Sequence, residues 1–241
     1  MSQTQGNVFL WTQKWLEASG LPHQAYVLCE STSTIAKKEV ASTPSFYVRL
    51  AAQQTHGRGR GDHTWASPPE GSALLTTWSW HIQQPPQHLT APLVGLYVYR
   101  ALNQTWRSLP WSLKAPNDLF LADKKVGGLL VETITSGYAH TLLIGLGLNV
   151  FAAPGHVPEA TCISDHLKET LTESKWQEFM HNLQQGLNSA VHQAHIHELS
   201  TPLRQDLLQA LKRHPQFREL RDVSPDGDLI LPDRTIDWYS I

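Results

Sequence analysis

The sequence has few of the features that mark secreted, membrane or zinc-binding proteins. Only two of its 241 residues are cysteines, Cys29 and Cys162, and a widely separated pair makes neither a disulfide framework nor a zinc pattern. No run approaches the roughly 18 consecutive apolar residues of a membrane-spanning helix. Residues 1–11 lack the basic and apolar regions of a signal peptide. These absences predict a cytoplasmic protein with no membrane partner.

The chain also carries little net charge. Its formal net charge is −2 and its pI is near 6.7, which excludes an overall attraction to nucleic acid or to an anionic membrane. Any basic site must therefore be local. A hydrophobic fraction of 41% is ordinary for a globular protein, and 241 residues fit one main domain with a small appendage.

Positive charge and glycine are concentrated in one short run, Gly57-Arg58-Gly59-Arg60-Gly61, and Trp65 follows it. Glycines let backbone N–H groups come close to an anion, and arginine forks match carboxylate or phosphate oxygens. The run predicts a loop that holds a small anion. Taken alone, it is equally typical of a flexible surface loop.

Hydrophobic periodicity predicts strands and helices without strict alternation. Strands are expected at residues 25–30, 46–52, 72–82, from Lys125 onward and at 140–151, and helices at 35–41, 90–107, 173–192 and 201–213. A hairpin with an Asp-Gly turn and a further short strand are expected at the C-terminus. The mixture predicts an α+β fold with a mixed or antiparallel central sheet flanked by helices.

Four further features could carry chemistry, and each also has a purely structural interpretation. Ser31-Thr32 is typical of a helix cap, and Pro116-Asn117-Asp118 of a turn. Gly127-Gly128 is typical of a β-bulge, and Trp65 could belong to the core. A second glycine-rich strand, residues 144–151 (IGLGLNVF), follows them.

Taken in order, these segments resemble the biotin protein ligase family. The matching stretches are STST, GRGRGDHTW, KAPNDLFLADKKVGGLLVE and IGLGLNVF, and they cover residues 30–151. The resemblance implies the biotin/lipoate ligase catalytic fold, which is like that of class II aminoacyl-tRNA synthetases. It implies a catalytic domain at residues 1–215 and an abbreviated SH3-like β segment at residues 216–241. It further implies a monofunctional enzyme without the DNA-binding domain of some relatives, and no DNA partner.

The resemblance also implies a reaction. Family members use ATP to activate biotin as biotinyl-5′-AMP, and they then transfer biotin to a lysine of a biotin carboxyl carrier protein domain of a carboxylase. The implied cofactors are ATP and Mg²⁺, with biotin as substrate. The expected partners are biotin and the carrier domain, and the expected oligomeric state is a monomer or a weak homodimer.

Site residues follow from the matched motif positions. The catalytic residues implied are Lys125, Arg58 and Arg60. Biotin-binding residues implied are Ser31, Thr32, Gln54, Gly57, Arg58, Arg60, Lys125, Gly128 and Gly145. ATP-binding residues implied are Arg58, Arg60, Trp65, Lys114, Asn117, Asp118 and Asn149, with Asp118 as the candidate contact for magnesium.

One position departs from the family pattern, and two other functions stay open. Residue 115 is alanine where the family usually has tryptophan, which changes the local shape of the pocket. A lipoate or octanoate ligase shares the fold, but the GRGRxxxxW run argues against it. A non-catalytic biotin-binding module is the other alternative, and retention of Arg58 and Lys125 argues against that.

Overall fold

The computed structural model describes residues 6–241, which form two compact units. The first unit contains residues 6–83 and Val126–Met180, and the second contains Gln84–Lys125 and His181–Ile241. The predicted boundary between a catalytic domain at residues 1–215 and a C-terminal β segment at residues 216–241 stays a prediction. Among the described residues, no helix is long and apolar enough to cross a membrane.

The elements follow one another along the chain as a mixture of helices and strands. The helices are α1 Val8–Ala18, α2 Thr32–Glu39, α3 Thr90–Thr105, α4 Glu173–His192 and α5 Thr201–Lys212. The strands are β1 His23–Cys29, β2 Phe46–Gln54, β3 Gly57–Arg58, β4 Thr64–Trp65, β5 Ala73–Ile82, β6 Trp111–Lys114, β7 Asp118–Leu121, β8 Lys124–Ser136, β9 Ala139–Asn149, β10 Asp222–Val223, β11 Leu229–Ile230 and β12 Thr235–Ile236. Two of the three unit boundaries fall within β8 and α4, and the third lies between β5 and α3.

The first unit contains a mixed sheet in the order β1-β2-β5-β9-β8. β1 and β2 are parallel, and the other neighbouring pairs are antiparallel. One row across four of these strands consists of Ala51, Leu75, Gly147 and Gly128. The two glycine-rich strands, β8 and β9, are therefore neighbours, and the predicted α+β class is confirmed.

Helix α1 was not predicted, although its signals are present in the sequence. Asn7 caps it by accepting a hydrogen bond from Leu10 N–H at 3.0 Å. Val8, Trp15 and Leu16 recur at helical spacing and are buried. Burial of this apolar face stabilises the helix against the rest of the unit.

The second unit contains α3, α5, the β6–β7 hairpin and a small antiparallel sheet of β10, β11 and β12. The turn between β10 and β11 includes Gly227, whose φ of +89° favours glycine. Arg204 of α5 ties this sheet down, with Nε donating to Val223 O and Nη2 to Asp222 Oδ2, both at 2.6 Å. The predicted C-terminal hairpin and extra strand are confirmed.

Candidate active site

The glycine-arginine run forms a short hairpin in the first unit. Gly57 pairs with Trp65 across β3 and β4, and Gly59 N–H donates to His63 O at 2.8 Å. A Cβ atom on Gly57 would lie 2.6 Å from Trp65 O, and Gly61 has a φ of +60°. Side chains at these two glycines would therefore prevent the tight backbone pairing.

Arg58 is held by a carboxylate of the main sheet. Its Nη1 and Nη2 donate to the two carboxylate oxygens of Glu132 at 2.9 and 3.0 Å. Lys37 Nζ of α2 also donates to Glu132 Oε1 at 2.6 Å. Two cations thus share one carboxylate, which leaves a local excess of positive charge. Arg60 lies in the turn between β3 and β4, where its backbone oxygen accepts from His63 N–H at 3.2 Å.

Three glycines form a floor without side chains on the face of the main sheet that also carries Glu132. Gly145 and Gly147 alternate along β9, and Gly128 of β8 lies directly opposite Gly147. A Cβ atom on Gly147 would lie 2.6 Å from Cε2 of the Trp65 indole. A Cβ atom on Gly145 would lie 3.0 Å from Ser33 Oγ. We call Gly128, Gly145 and Gly147 the glycine floor, and the Trp65 ring lies across part of it.

A chain of hydroxyl groups borders the glycine floor. Thr77 Oγ1 donates to Thr32 Oγ1 at 2.9 Å, and Thr32 Oγ1 donates to Gln54 Oε1 at 3.1 Å. Ser33 Oγ lies 3.1 Å from Thr77 Oγ1 and is the donor there, since each hydroxyl has a single proton. Thr32 N–H also donates to Gln54 Oε1 at 2.7 Å. The Gln54 amide is therefore oriented with its oxygen toward α2.

Several buried polar atoms in the first unit lack a partner among the described residues. Three of them belong to candidate residues, namely Ser31 Oγ, Asn149 Oδ1 and Trp65 Nε1, and the others are Tyr26 OH, Arg49 Nη1 and Ser67 Oγ. Ser31 occupies the N-cap position of α2 but makes no side-chain capping bond, so the cap interpretation of its hydroxyl is wrong. Asn149 is anchored by donating from Nδ2 to Thr161 O at 3.1 Å. Because a buried unpaired polar atom costs about 1–3 kcal/mol, the atoms of the three candidate residues are suited to hydrogen-bonding a ligand.

The other candidate residues lie in the second unit, around the β6–β7 turn. Lys114 pairs with Asp118 where the hairpin closes. Asp118 Oδ1 accepts from Lys125 Nζ at 2.6 Å, and the carboxylate side chain is 17% exposed against 39% for the lysine. Lys114 Nζ lies 5.7 Å from the centroid of the Phe120 ring. Asn117 lies in the turn between β6 and β7.

The atypical alanine lies in the same turn. Ala115 is buried, and its neighbour Pro116 accepts a hydrogen bond from Trp238 Nε1 at 3.1 Å. Trp238 belongs to the C-terminal segment and is also buried. The C-terminal segment therefore supplies an aromatic ring beside a turn that has none at position 115.

Sequence comparison identifies the family. Residues 25–149, more than half of the chain, match the model of the biotin/lipoate A/B protein ligase family. The chain belongs to this family.

Two curated proteins match about half of this chain. The chain is 32% identical over 127 residues to the bifunctional ligase/repressor BirA of Escherichia coli, covering 50% of this chain and 38% of that protein. It is 33% identical over 127 residues to human biotin--protein ligase, covering 50% and 17%. The matches thus span less than half of these relatives' lengths.

Solved structures of this family share the fold. A Leishmania major biotin protein ligase in complex with biotinyl-5-AMP is 21% identical, with a TM-score of 0.62 over 90% of this chain and 98% of that chain. An Aquifex aeolicus biotin protein ligase in complex with biotin and ATP is 20% identical, with a TM-score of 0.65 over 89% and 94%. The expected ligase fold is confirmed.

Three residues that contact the candidate residues of the first unit or one another were not predicted from the sequence. They are Lys37, Thr77 and Glu132. Glu132 had a detectable signal, because alternation along β8 places it on the same face as Gly128. Lys37 and Thr77 gave none, since their partners are distant in sequence.

The described residues contain no group of three or more His, Cys, Asp or Glu side chains that could hold a metal ion. Asp118 is engaged by Lys125. Such a site fits magnesium that is held mainly by substrate phosphates and at most one carboxylate.

Proposed function

We propose that this protein activates biotin with ATP to biotinyl-5′-AMP and transfers the biotinyl group to a lysine of a biotin carboxyl carrier protein domain. One observation carries the proposal: the glycine floor is bordered by fixed and unpaired polar groups within the segment that matches the family. A small, largely apolar ligand with a few polar atoms fits a site of this kind.

The polar border suits the ureido ring of biotin. Gln54 Oε1 is occupied by Thr32, so Gln54 Nε2 is the end that donates to a ligand. Ser31 Oγ is buried and unpaired. A hydroxyl and an amide held in place satisfy a ureido group without reorganising when it binds.

Adenylation requires two anions, the biotin carboxylate and the ATP α-phosphate, to meet. Arg60 and Lys125 supply positive charge by their matched positions, and Asp118 keeps the Lys125 ammonium group in one orientation. Loss of one charge-stabilising donor in such a step costs roughly 3–4 kcal/mol. Magnesium bound to the triphosphate neutralises the leaving pyrophosphate.

The transfer step needs no protein nucleophile, because the carrier lysine attacks the adenylate. Burial raises the pKa of the Cys29 thiol to about 11, with a further contribution from Glu30. Burial also raises the pKa of the Cys162 thiol. Thiols of this kind are poor nucleophiles at neutral pH. We place the reaction in the cytoplasm, on a monomer or a weak homodimer.

The direct test is ATP–pyrophosphate exchange by the purified protein with biotin or lipoate as the acid. We expect exchange that depends on biotin, and a Lys125→Ala variant that loses about 10²–10³-fold in rate. Lys124→Ala is the matched control, because Lys124 is the exposed neighbour on the same strand, and it should retain the rate.

The same assay separates the alternatives. Exchange with lipoate and not with biotin would assign the chain to the lipoate branch of the family. Binding of biotin without exchange would assign a non-catalytic module.

A further inference from the structure

The Glu132 carboxylate joins three elements of the first unit. Arg58 comes from the β3–β4 hairpin, Lys37 from α2, and Glu132 itself from β8. The bidentate Arg58 contact spans 74 residues of sequence. Side-chain exposures of 34% for Arg58, 35% for Lys37 and 20% for Glu132 place the cluster partly out of water, where charge pairs are screened less than on an open surface.

Glu132 also lies on the face of β8 that carries Gly128 of the glycine floor. Gly128, Leu130 and Glu132 are alternate residues on one face of β8, and Leu130 pairs with Gly145. Lys37 lies in the helix that begins with the hydroxyl groups of Thr32 and Ser33. A single carboxylate therefore ties the glycine-arginine hairpin and the hydroxyl-bearing helix to the strand that carries part of the floor.

Both terminal nitrogens of Arg58 point at Glu132. A guanidinium group committed in this way fixes the hairpin that carries Arg60 and Trp65. Arginine suits this role because its planar fork matches both carboxylate oxygens, which lysine cannot do.

We propose that Glu132 is a positioning residue, which holds the Arg58 hairpin and α2 in the geometry that receives the biotinyl group. This inference rests on the proposed function, since it assigns a residue that organises that same site. Glu132 acts through Arg58 and Lys37 and does not contact the reacting atoms.

If Glu132 competed with the ligand instead of positioning the hairpin, the KM for biotin would change in the opposite direction. If Glu132 instead competed with the ligand for Arg58, removing its charge would free the arginine and lower the KM for biotin. If it positions the hairpin, removing its charge loosens the site and raises that KM.

The test uses Glu132→Gln, which keeps the shape and removes the charge. We expect the KM for biotin in pyrophosphate exchange to rise on the order of tenfold, equivalent to about 1.4 kcal/mol, with a smaller change in kcat. Glu30→Gln is the control, because Glu30 forms an exposed ion pair with Lys38 of α2. This substitution should leave both constants unchanged.

A second readout needs no activity. Trypsin cleaves after Arg60, and we expect the cleavage rate there to rise about tenfold in Glu132→Gln when the hairpin opens more often. This result stands or falls separately from the biotin assignment. An unchanged cleavage rate, or a lower KM for biotin, would overturn the positioning role.

A double variant tests whether Glu132 acts through Arg58. Arg58→Gln should reproduce the faster cleavage, and Glu132→Gln combined with Arg58→Gln should be no worse than Glu132→Gln alone, because Glu132→Gln already removes the Arg58 contact. Additive effects would overturn it. Should Glu132→Gln fail to fold, Lys37→Gln removes one of the two cations and is expected to give a weaker change in the same direction.

Discussion

Gly147→Ala places a methyl group where the Trp65 indole now lies. The new Cβ atom would stand 2.6 Å from Cε2, 2.8 Å from Cζ2 and 3.0 Å from Cδ2 of that ring. Carbon atoms pack at about 3.5–4.0 Å, so the ring must move by about 1 Å. The Trp65 backbone is fixed by its pairing with Gly57, and the movement therefore falls on the side chain.

The cost can be estimated from overpacking. A methyl group forced into an occupied space destabilises a protein by about 1–3 kcal/mol. Because the half-buried Trp65 ring can partly move aside, we expect Gly147→Ala to lower the free energy of unfolding by about 1–2 kcal/mol. At roughly 2–4 °C per kcal/mol for a chain of this size, Tm should fall by about 2–8 °C. Without the ring, alanine in a strand is more stable than glycine by roughly 0.5–1 kcal/mol.

A double-mutant cycle with Trp65→Ala isolates this contact. Denaturant midpoints would be measured for the parent, Gly147→Ala, Trp65→Ala and the double variant. We expect Gly147→Ala to destabilise the parent and to be neutral or stabilising in the Trp65→Ala background. Gly155→Ala is the control, since a Cβ atom there meets nothing within 4 Å. Equal destabilisation in both backgrounds would refute the clash.

Three further predictions concern other parts of the chain. Trp238→Phe removes the donor to Pro116 O and should lower the free energy of unfolding by about 1 kcal/mol, measured by denaturant titration; no change would contradict the contact. Burial, and then the Lys114 cation, lower the pKa of His214. Between this pKa and 6.5 the unfolded chain binds more protons, so the stability from a neutral His214 is full above pH 6.5 and falls below it. His214→Gln should therefore flatten the decline of Tm from pH 7 to 5, and an identical slope would contradict this. Cys29, with a pKa of about 11, should react slowly with iodoacetamide at pH 7.5 and faster only as pH approaches 11; rapid labelling at pH 7.5 would contradict that value.

The parts of the fold that depend on local pattern were predictable. Helix α4 begins and ends at the predicted residues because its apolar positions recur at helical spacing. The C-terminal hairpin was predicted from the Asp226-Gly227 turn. Helix α1 was missed, although Asn7 and the buried spacing of its apolar residues signal it.

For the candidate active site, the sequence predicted the residues and their order along the chain, but not their contacts. Motif order indicated which residues matter, but not which charges pair. Arg58 was expected to face a ligand, and the structure places its terminal nitrogens on Glu132 instead. Such a contact depends on the register between β8 and β9 and on the path of the hairpin, which no local pattern encodes.

The central claim is that this chain forms a mixed anhydride between biotin and AMP. Mass spectrometry of the small molecules released after incubation with biotin, ATP and magnesium tests it most directly. We expect biotinyl-5′-AMP with the parent protein and with Lys124→Ala, and about 10²–10³-fold less with Lys125→Ala. Absence of biotinyl-5′-AMP from a folded parent protein that binds biotin would contradict the account.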